Sequence, residues 1–255
     1  MQKNTTQEER PYLSVVIPAY NEAKRLPKTL LDVDKHLSAA PFSYEIVVVN
    51  DGSKDNTAEV TEKFKSTVKN LRLIDFAKNR GKGAVVRDGM LMARGEYRLF
   101  MDADNSTSVD HFEKMIPYFK DGFGVVICSR AHRESVLDPA EPWYRQIPGK
   151  IGNLIIQILV LPGYWDTQCG FKAFTAEAAD RVFNIMKIDR WGFDIEALAL
   201  SRKMRFKIKE VPVHWINDTA SHVSASAYLK TLIETLKIRL WLWTGKYDLS
   251  QKNEK

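Results

Sequence analysis

The chain has 255 residues, 44% hydrophobic and 27% charged, ordinary proportions for a folded protein with a sizeable core. Lys and Arg outnumber Asp and Glu by 38 to 32, a net charge of +6 that suits phosphate-bearing partners without requiring one. No run reaches the roughly 18 apolar residues that span a bilayer, residues 1–10 lack a signal-peptide core, and two cysteines without CxxC spacing exclude a disulfide scaffold and favour a reducing compartment.

The first half repeats one phrase. Leu13–Ile17 is a short β-branched run, followed by a helical pattern with Leu26, Leu30, Val33 and Leu37 on one face. Tyr44–Val49 is the next run, then a helix start at Asp55-Asn56-Thr57 with Val60, Phe64 and Val68 at spacing four. Leu71–Ile74 predicts a third strand and Gly83–Ala93 a third helix, and Tyr97–Met101 and Gly124–Cys128 supply strands four and five. Strands alternating with helices imply a mainly parallel sheet covered by helices on both faces, a doubly wound α/β fold. Residues 131–150 hold three prolines and many charges and are expected to be a long loop. Leu154–Leu161 is apolar enough to be buried or interfacial, Phe206–Val213 alternates as a half-exposed strand, and Tyr228–Trp243 is an amphipathic helical pattern. The expected organisation is one α/β unit over 11–227, an amphipathic helical segment over 228–247, and frayed tails at 1–10 and 248–255.

Open α/β sheets bind ligands at the carboxyl ends of their strands, and polar residues collect there. Strand one ends in Pro18-Ala-Tyr-Asn-Glu22, strand two in Asn50-Asp-Gly-Ser53, strand four in Asp102-Ala103-Asp104 and strand five in Ser129-Arg130. Two carboxylates separated by one small residue can hold a hard divalent cation, which would neutralise a departing diphosphate; the same string is also good turn chemistry. Asp51 can accept hydrogen bonds from a ribose or a base, or serve as turn and N-cap chemistry. Asn79-Arg-Gly-Lys-Gly83 sets Arg80 and Lys82 at a helix N-terminus, where backbone N–H groups suit phosphate. The glycines do not make a dinucleotide fingerprint, no Walker A string occurs, and HExxH and G-x-S-x-G are missing, so NAD, P-loop, zinc-protease and serine-hydrolase chemistry find no support. Asp166–Lys172 and Trp191–Glu196 set acids and amides beside aromatics, which suits either a sugar ring or the core.

These strings, in this order, resemble glycosyltransferase family 2 with its GT-A nucleotide-sugar-binding fold. The match runs through Val15-Val-Ile-Pro-Ala-Tyr-Asn-Glu22, Val49-Asn-Asp-Gly-Ser53, Asn79–Gly83, Asp102–Asp104 and Cys128-Ser-Arg130. Asp166-Thr-Gln-Cys-Gly-Phe-Lys172, Phe193-Asp-Ile-Glu196 and Glu210-Val-Pro-Val-His-Trp215 are similar to the branch that glycosylates polyprenyl or dolichyl phosphate. The resemblance implies that Pro18, Ala19, Tyr20, Glu22 and Asp51 hold the nucleoside. Asp102, Ala103 and Asp104 would face the ribose and a Mg²⁺ or Mn²⁺ ion, with Asp104 the principal ligand. Arg130, Arg145 and Lys150 would meet donor or acceptor phosphates, and Asp166 and Gln168 would orient the sugar or the acceptor. The implied reaction is inverting hexose transfer from a nucleotide diphosphate sugar to a lipid phosphate, with UDP-glucose expected before GDP-mannose. A sugar-hydroxyl acceptor would need a base, for which Asp166, Asp194 and Glu196 are candidates. Members of this branch commonly carry membrane helices and a Gly-Ser-Lys after the Glu-Val-Pro strand. This sequence shows neither, having Ala220-Ser221-His222 instead, so the expected mode is peripheral contact at the cytoplasmic face of a membrane. A non-catalytic basic membrane-surface or nucleic-acid-binding module is the alternative outside enzymology, though acids at four strand ends argue against it and no nucleic-acid partner is expected.

Overall fold

A computed structural model describes residues 10–139, 143–216 and 225–249. Its centre is a seven-stranded sheet in the order β3-β2-β1-β4-β7-β5-β8. The strands are β1 (Leu13–Ala19), β2 (Tyr44–Asp51), β3 (Leu71–Phe76), β4 (Tyr97–Met101), β5 (Val125–Ser129), β7 (Phe171–Thr175) and β8 (Ile208–Pro212). All neighbours run parallel except β7, which is antiparallel to both β4 and β5. Strands β1 and β2 are buried along their whole length, as their unbroken Val/Ile runs require in a sheet covered on both sides.

Two apolar layers flank the sheet. One packs α3 (Lys82–Met92), α6 (Ala176–Phe183) and α7 (Phe193–Lys203) around Val16, Val49, Phe100 and Phe174. The other packs α1 (Leu26–Leu37) and α4 (His111–Lys120) around Leu13, Ile17, Leu99 and Phe171. Alternate residues of one strand feed opposite layers, the period-two consequence of the pleat. The helix α2 (Thr57–Phe64) packs on α1 and β3. At the amino ends of the strands Glu45 is nearly enclosed, accepting from Ser14 Oγ and Arg94 N, both at 2.6 Å, with Arg72 at 3.3 Å.

The structure corrects the expected loop at 131–150. It contains the short strand β6 (Val136–Asp138), paired in parallel with β9 (His214–Ile216), and the start of α5 (Trp143–Leu159). The prolines suggested a breaker, but Pro148 is accommodated within the helix, which the spacing of Ile147, Ile151, Leu154 and Ile158 sustains. Arg145 and Lys150 therefore belong to a helix rather than a loop. The strand β7 is a second difference, since a run of only five residues after a Gly carries little periodic signal. The C-terminal pattern becomes α8 (Ala225–Trp243), which packs on α5 and α7 and buries Thr235 and Ile238.

Candidate active site

The carboxyl ends of β1, β2 and β4 meet in one crevice, closed from the other side by residues 165–172 and the start of α7. Residues 20–23 are laced to the loop after β2. Asn21 N donates to Ser53 Oγ (2.9 Å), Glu22 N to Thr57 Oγ1 (2.8 Å), and Lys54 N to Asn21 Oδ1 (2.8 Å). Asn21 adopts φ +56°, a left-handed conformation that asparagine tolerates well. Pro18 and Ala19 are buried beneath, Tyr20 is 40% exposed, and the Glu22 carboxylate is clasped by Arg25 at 2.6 Å.

Asp51 lies on the floor, 2% exposed. Its carboxylate accepts from Asn79 Nδ2 (2.9 Å), Arg80 N (2.6 Å) and Gly81 N (2.9 Å). It therefore shapes the loop entering α3 and takes two of the amides that the sequence offered to phosphate. That loop is also shaped by Gly81, at φ +104°, where a Cβ would lie 2.3 Å from the Asp189 carbonyl. The structure brings Lys82 into the crevice but not Arg80, whose guanidinium pairs with Asp88 at 2.5 Å and lies over Phe76.

Lys82 Nζ sits 2.5 Å from Asp102 Oδ1 and faces the rings of Trp191 and Phe193. Burial works against its charge, but Asp102, Asp194 and Asp104 together outweigh it and raise its pKa. Asp102 rests on Gly170, where a Cβ would come within 2.0 Å of Oδ2, so the Gly of the Cys-Gly-Phe-Lys string makes room for this carboxylate. The turn that follows is held from three sides. Thr29 Oγ1 of α1 donates to the Ala103 carbonyl (2.6 Å), Asp102 N to the Gly170 carbonyl (3.1 Å), and Ile216 N of β9 to the Ser106 carbonyl (2.8 Å). Asp104 Oδ1 accepts from Ser106 N at 2.9 Å, and its Oδ2 accepts no hydrogen bond among the described residues.

Beside it, Arg130 grips Asp166 through Nε and Nη2, both at 2.8 Å, and through its backbone N–H at 2.7 Å, with the guanidinium over Trp215. Burial opposes the Asp166 charge, but Arg130 wins and its pKa lies below the usual aspartate value. Glu210 Oε1 accepts the Trp165 and Asp166 amides, both at 3.3 Å, fixing that turn. Between the two clusters Lys172, fully buried, donates to Asp194 Oδ1 at 2.5 Å and to the Cys169 carbonyl. Burial dominates at Asp194 and raises its pKa despite Lys172 and Lys82. Four carboxylates (Asp102, Asp104, Asp166, Asp194) thus alternate with three cations (Lys82, Lys172, Arg130), leaving one negative charge before any ligand arrives.

Gln168 is exposed at the rim and Trp165 and Trp191 are half or more exposed, whereas Phe193 is core against Phe100. Glu196 is removed from the base candidates. It is fully buried, and its oxygens accept from Lys187 N, Ile188 N and the Tyr247 hydroxyl. Arg145 has its backbone in α5, but its side chain, and all of His222, lie outside the described residues; Lys150 is exposed on α5. The sequence reading gave no role to Lys172, Gly170, Glu210 or Trp215, although each lies inside a motif it quoted.

Among the described residues no three His, Cys, Asp or Glu side chains form a ready metal cage. Mg²⁺ and Mn²⁺ at diphosphates need only one or two carboxylates, with phosphate and water oxygens completing the shell. The free Oδ2 of Asp104, beside Asp102 in a crevice of net negative charge, fits that requirement.

The family model for glycosyl transferase family 2 matches residues 14–183. The chain is 40% identical over 251 residues to dolichyl-phosphate beta-glucosyltransferase of Dictyostelium discoideum, covering 93% of this chain and 77% of that protein. It is 37% identical over 253 residues to the Homo sapiens enzyme of the same name, covering 94% and 78%. Among solved structures, glucosyl-3-phosphoglycerate synthase from Mycobacterium tuberculosis, in complex with Mn²⁺, UDP and glucosyl-3-phosphoglycerate, matches with a TM-score of 0.67 at 17% identity over 90% of this chain and 80% of that one. A mannosyltransferase from Pyrobaculum calidifontis, in complex with GDP-Man and Mn²⁺, matches with a TM-score of 0.60 at 18% identity over 93% and 65%. The fold is GT-A, and the motifs read from the strand ends fall inside the matched span, apart from those after residue 183. The chain belongs to glycosyl transferase family 2.

Proposed function

We propose that this enzyme transfers glucose from UDP-glucose to the phosphate of dolichol or a related polyprenol, inverting the anomeric carbon. The observation that carries the reading is the crevice itself: paired carboxylates at the end of β4, with Lys82 and Arg130 beside them and Lys172 beneath. Identity near 40% to dolichyl-phosphate beta-glucosyltransferases along most of both chains supports the choice of acceptor and sugar.

The acceptor phosphate, with a second pKa near 6, is already largely ionised at neutral pH and needs no strong base. One of its oxygens attacks the anomeric carbon in line. The bond to the diphosphate breaks, and its electron pair leaves with the nucleoside diphosphate. A Mg²⁺ or Mn²⁺ ion held by Asp104, with Asp102, supplies neutralisation of the diphosphate charge when bound. Lys82, its ammonium held in place by Asp102, would bind the same diphosphate. Arg130, fixed by Asp166 and Trp215, receives the acceptor phosphate, and Gln168 at the rim contacts the sugar. Pro18, Ala19, Tyr20 and Glu22 border the nucleoside, with Asp51 shaping its floor. Catalysis is then positioning and preorganised charge.

The lipid acceptor places the working enzyme at a membrane surface. Among the described residues no helix is long and apolar enough to cross a membrane. Both cysteines are free and buried, which suits the reducing environment of a cytoplasmic face.

Two measurements test the reading. With labelled UDP-glucose and a divalent ion, product forms on a short polyprenyl phosphate and not on free sugars; label appearing only in a disaccharide formed on the added sugar would favour a hydroxyl acceptor. Asp104→Ala abolishes transfer, and wild-type turnover by that variant at saturating Mg²⁺ and Mn²⁺ removes the metal assignment.

A further inference from the structure

The helices α5 and α8 pack against each other and leave large apolar side chains in the open. On α5 these are Ile147, Ile151, Leu154 and Ile158, 44 to 74% exposed. On α8 they are Leu229, Ile233, Leu236, Leu240 and Trp243, 46 to 83% exposed. Both series follow steps of three and four, so each is one stripe along its helix. The buried positions Ile156 on α5 and Thr235 and Ile238 on α8 fall on the opposite sides. A stripe this continuous exceeds the scattered apolar exposure of ordinary surfaces.

The charge around the stripes has one sign. Across the two helices Glu234 is the single acid, and it is engaged inward, accepting from Gly192 N at 2.6 Å. Lys150, Lys230, Lys237 and Arg239 are exposed, and on α8 Lys230 and Lys237 flank one edge of the stripe while Arg239 flanks the other. Long cationic stems at both margins can lie along apolar surface while their heads reach a negative plane. Where the two stripes converge, at Ile158 and Trp243, a groove of about 580 Å³ opens. Arg202, Lys203 and Arg239 line it together with Leu242, and no acid does.

We propose that the α5–α8 face seats on an anionic phospholipid monolayer, with the Arg202–Lys203–Arg239 groove taking a phosphate-bearing headgroup at its edge. The stripes enter the acyl boundary and the flanking cations meet the headgroups. A second copy of the chain would bring Lys230, Lys237 and Arg239 against their own like charges, whereas an anionic surface matches them. The proposal rests on the transferase reading only for why a lipid surface is needed.

The test is co-sedimentation of the full chain with vesicles of phosphatidylcholine containing about one-quarter phosphatidylserine, with neither sugar nucleotide nor polyprenyl phosphate present. Vesicle binding and transfer can then fail independently. Wild-type protein sediments with these vesicles and much less with pure phosphatidylcholine. Leu236→Asp and Trp243→Glu, both at exposed positions, lose the binding while keeping their circular dichroism and melting temperature. Arg202→Ser with Arg239→Ser weakens it roughly twenty-fivefold, about fivefold per cation. Equal binding to pure phosphatidylcholine, binding unchanged in all the variants, or a dimer in light scattering that Leu236→Asp splits would each overturn the proposal.

Discussion

Lys172 shows how one side chain supports a site it does not reach. It is fully buried, its ammonium is held by Asp194 and the Cys169 carbonyl, and its charge is felt at Asp166. Taking a buried ion pair out of water is costly, and removing one partner leaves the other uncompensated. Lys172→Met should therefore destabilise the enzyme by about 3–5 kcal/mol in denaturant unfolding, while Lys172→Met with Asp194→Leu recovers most of that loss. A double variant as unstable as the single one would mean that Lys172 matters through packing rather than charge. This residue was legible as a letter but not as a role. The sequence carries Lys inside Asp166–Lys172, yet nothing in residue spacing says that β7 turns antiparallel and drives this lysine beneath the crevice. For Asp104 the place was legible as well as the letter, because a strand end fixes where its carboxylate must emerge.

The short parallel pair β6–β9 and the helix α4 meet through one histidine. His111 Nε2 accepts the His214 backbone N–H at 3.0 Å, and its Nδ1 lies 3.1 Å from the Ser108 carbonyl. That arrangement needs the neutral ring with its proton on Nδ1. Burial, with Lys114 nearby, lowers the His111 pKa, although Asp110 pulls the other way. The folded state thus binds a proton less readily than the unfolded chain. Stability is then fully present above the unfolded histidine value of about 6.5 and falls as pH drops below it, until the lower folded pKa is reached. The melting temperature of wild type should decline between about pH 7.5 and 5.5, and His111→Gln should flatten that part of the profile. An identical decline in the variant would assign it to other groups. The element itself escaped the sequence because three-residue strands leave no period to detect. The five parallel strands with apolar runs were readable for the opposite reason.

At the scale of the molecule, α8 and the donor end of the sheet are joined by the segment 187–192. Glu234 of α8 accepts Gly192 N, and Tyr247 donates to Glu196, whose carboxylate also holds Lys187 N and Ile188 N. From there the segment reaches the loop entering α3. The Asp189 carbonyl accepts Ala84 N at 3.2 Å, Arg87 pairs with Asp189 at 2.9 Å, and Arg190 donates to Asn79 at 3.0 Å. That loop is the one Asp51 organises and Lys82 leaves for the crevice. The C-terminal helix, which the sequence presented as a separate amphipathic segment, is in this way tied to the floor of the crevice. Glu234→Ala removes an acceptor from Gly192, and Tyr247→Phe leaves a buried Glu196 oxygen with fewer partners, each a loss of about 1–3 kcal/mol where the group is buried. Both variants should raise amide hydrogen exchange across 187–192 and in the 79–84 loop, and lower the thermal shift given by UDP-glucose with Mn²⁺. Exchange in β1 and β2, which share neither contact, should stay at the wild-type level. Faster exchange at 187–192 with an unchanged ligand shift would separate α8 from the donor site and confine its work to the apolar face.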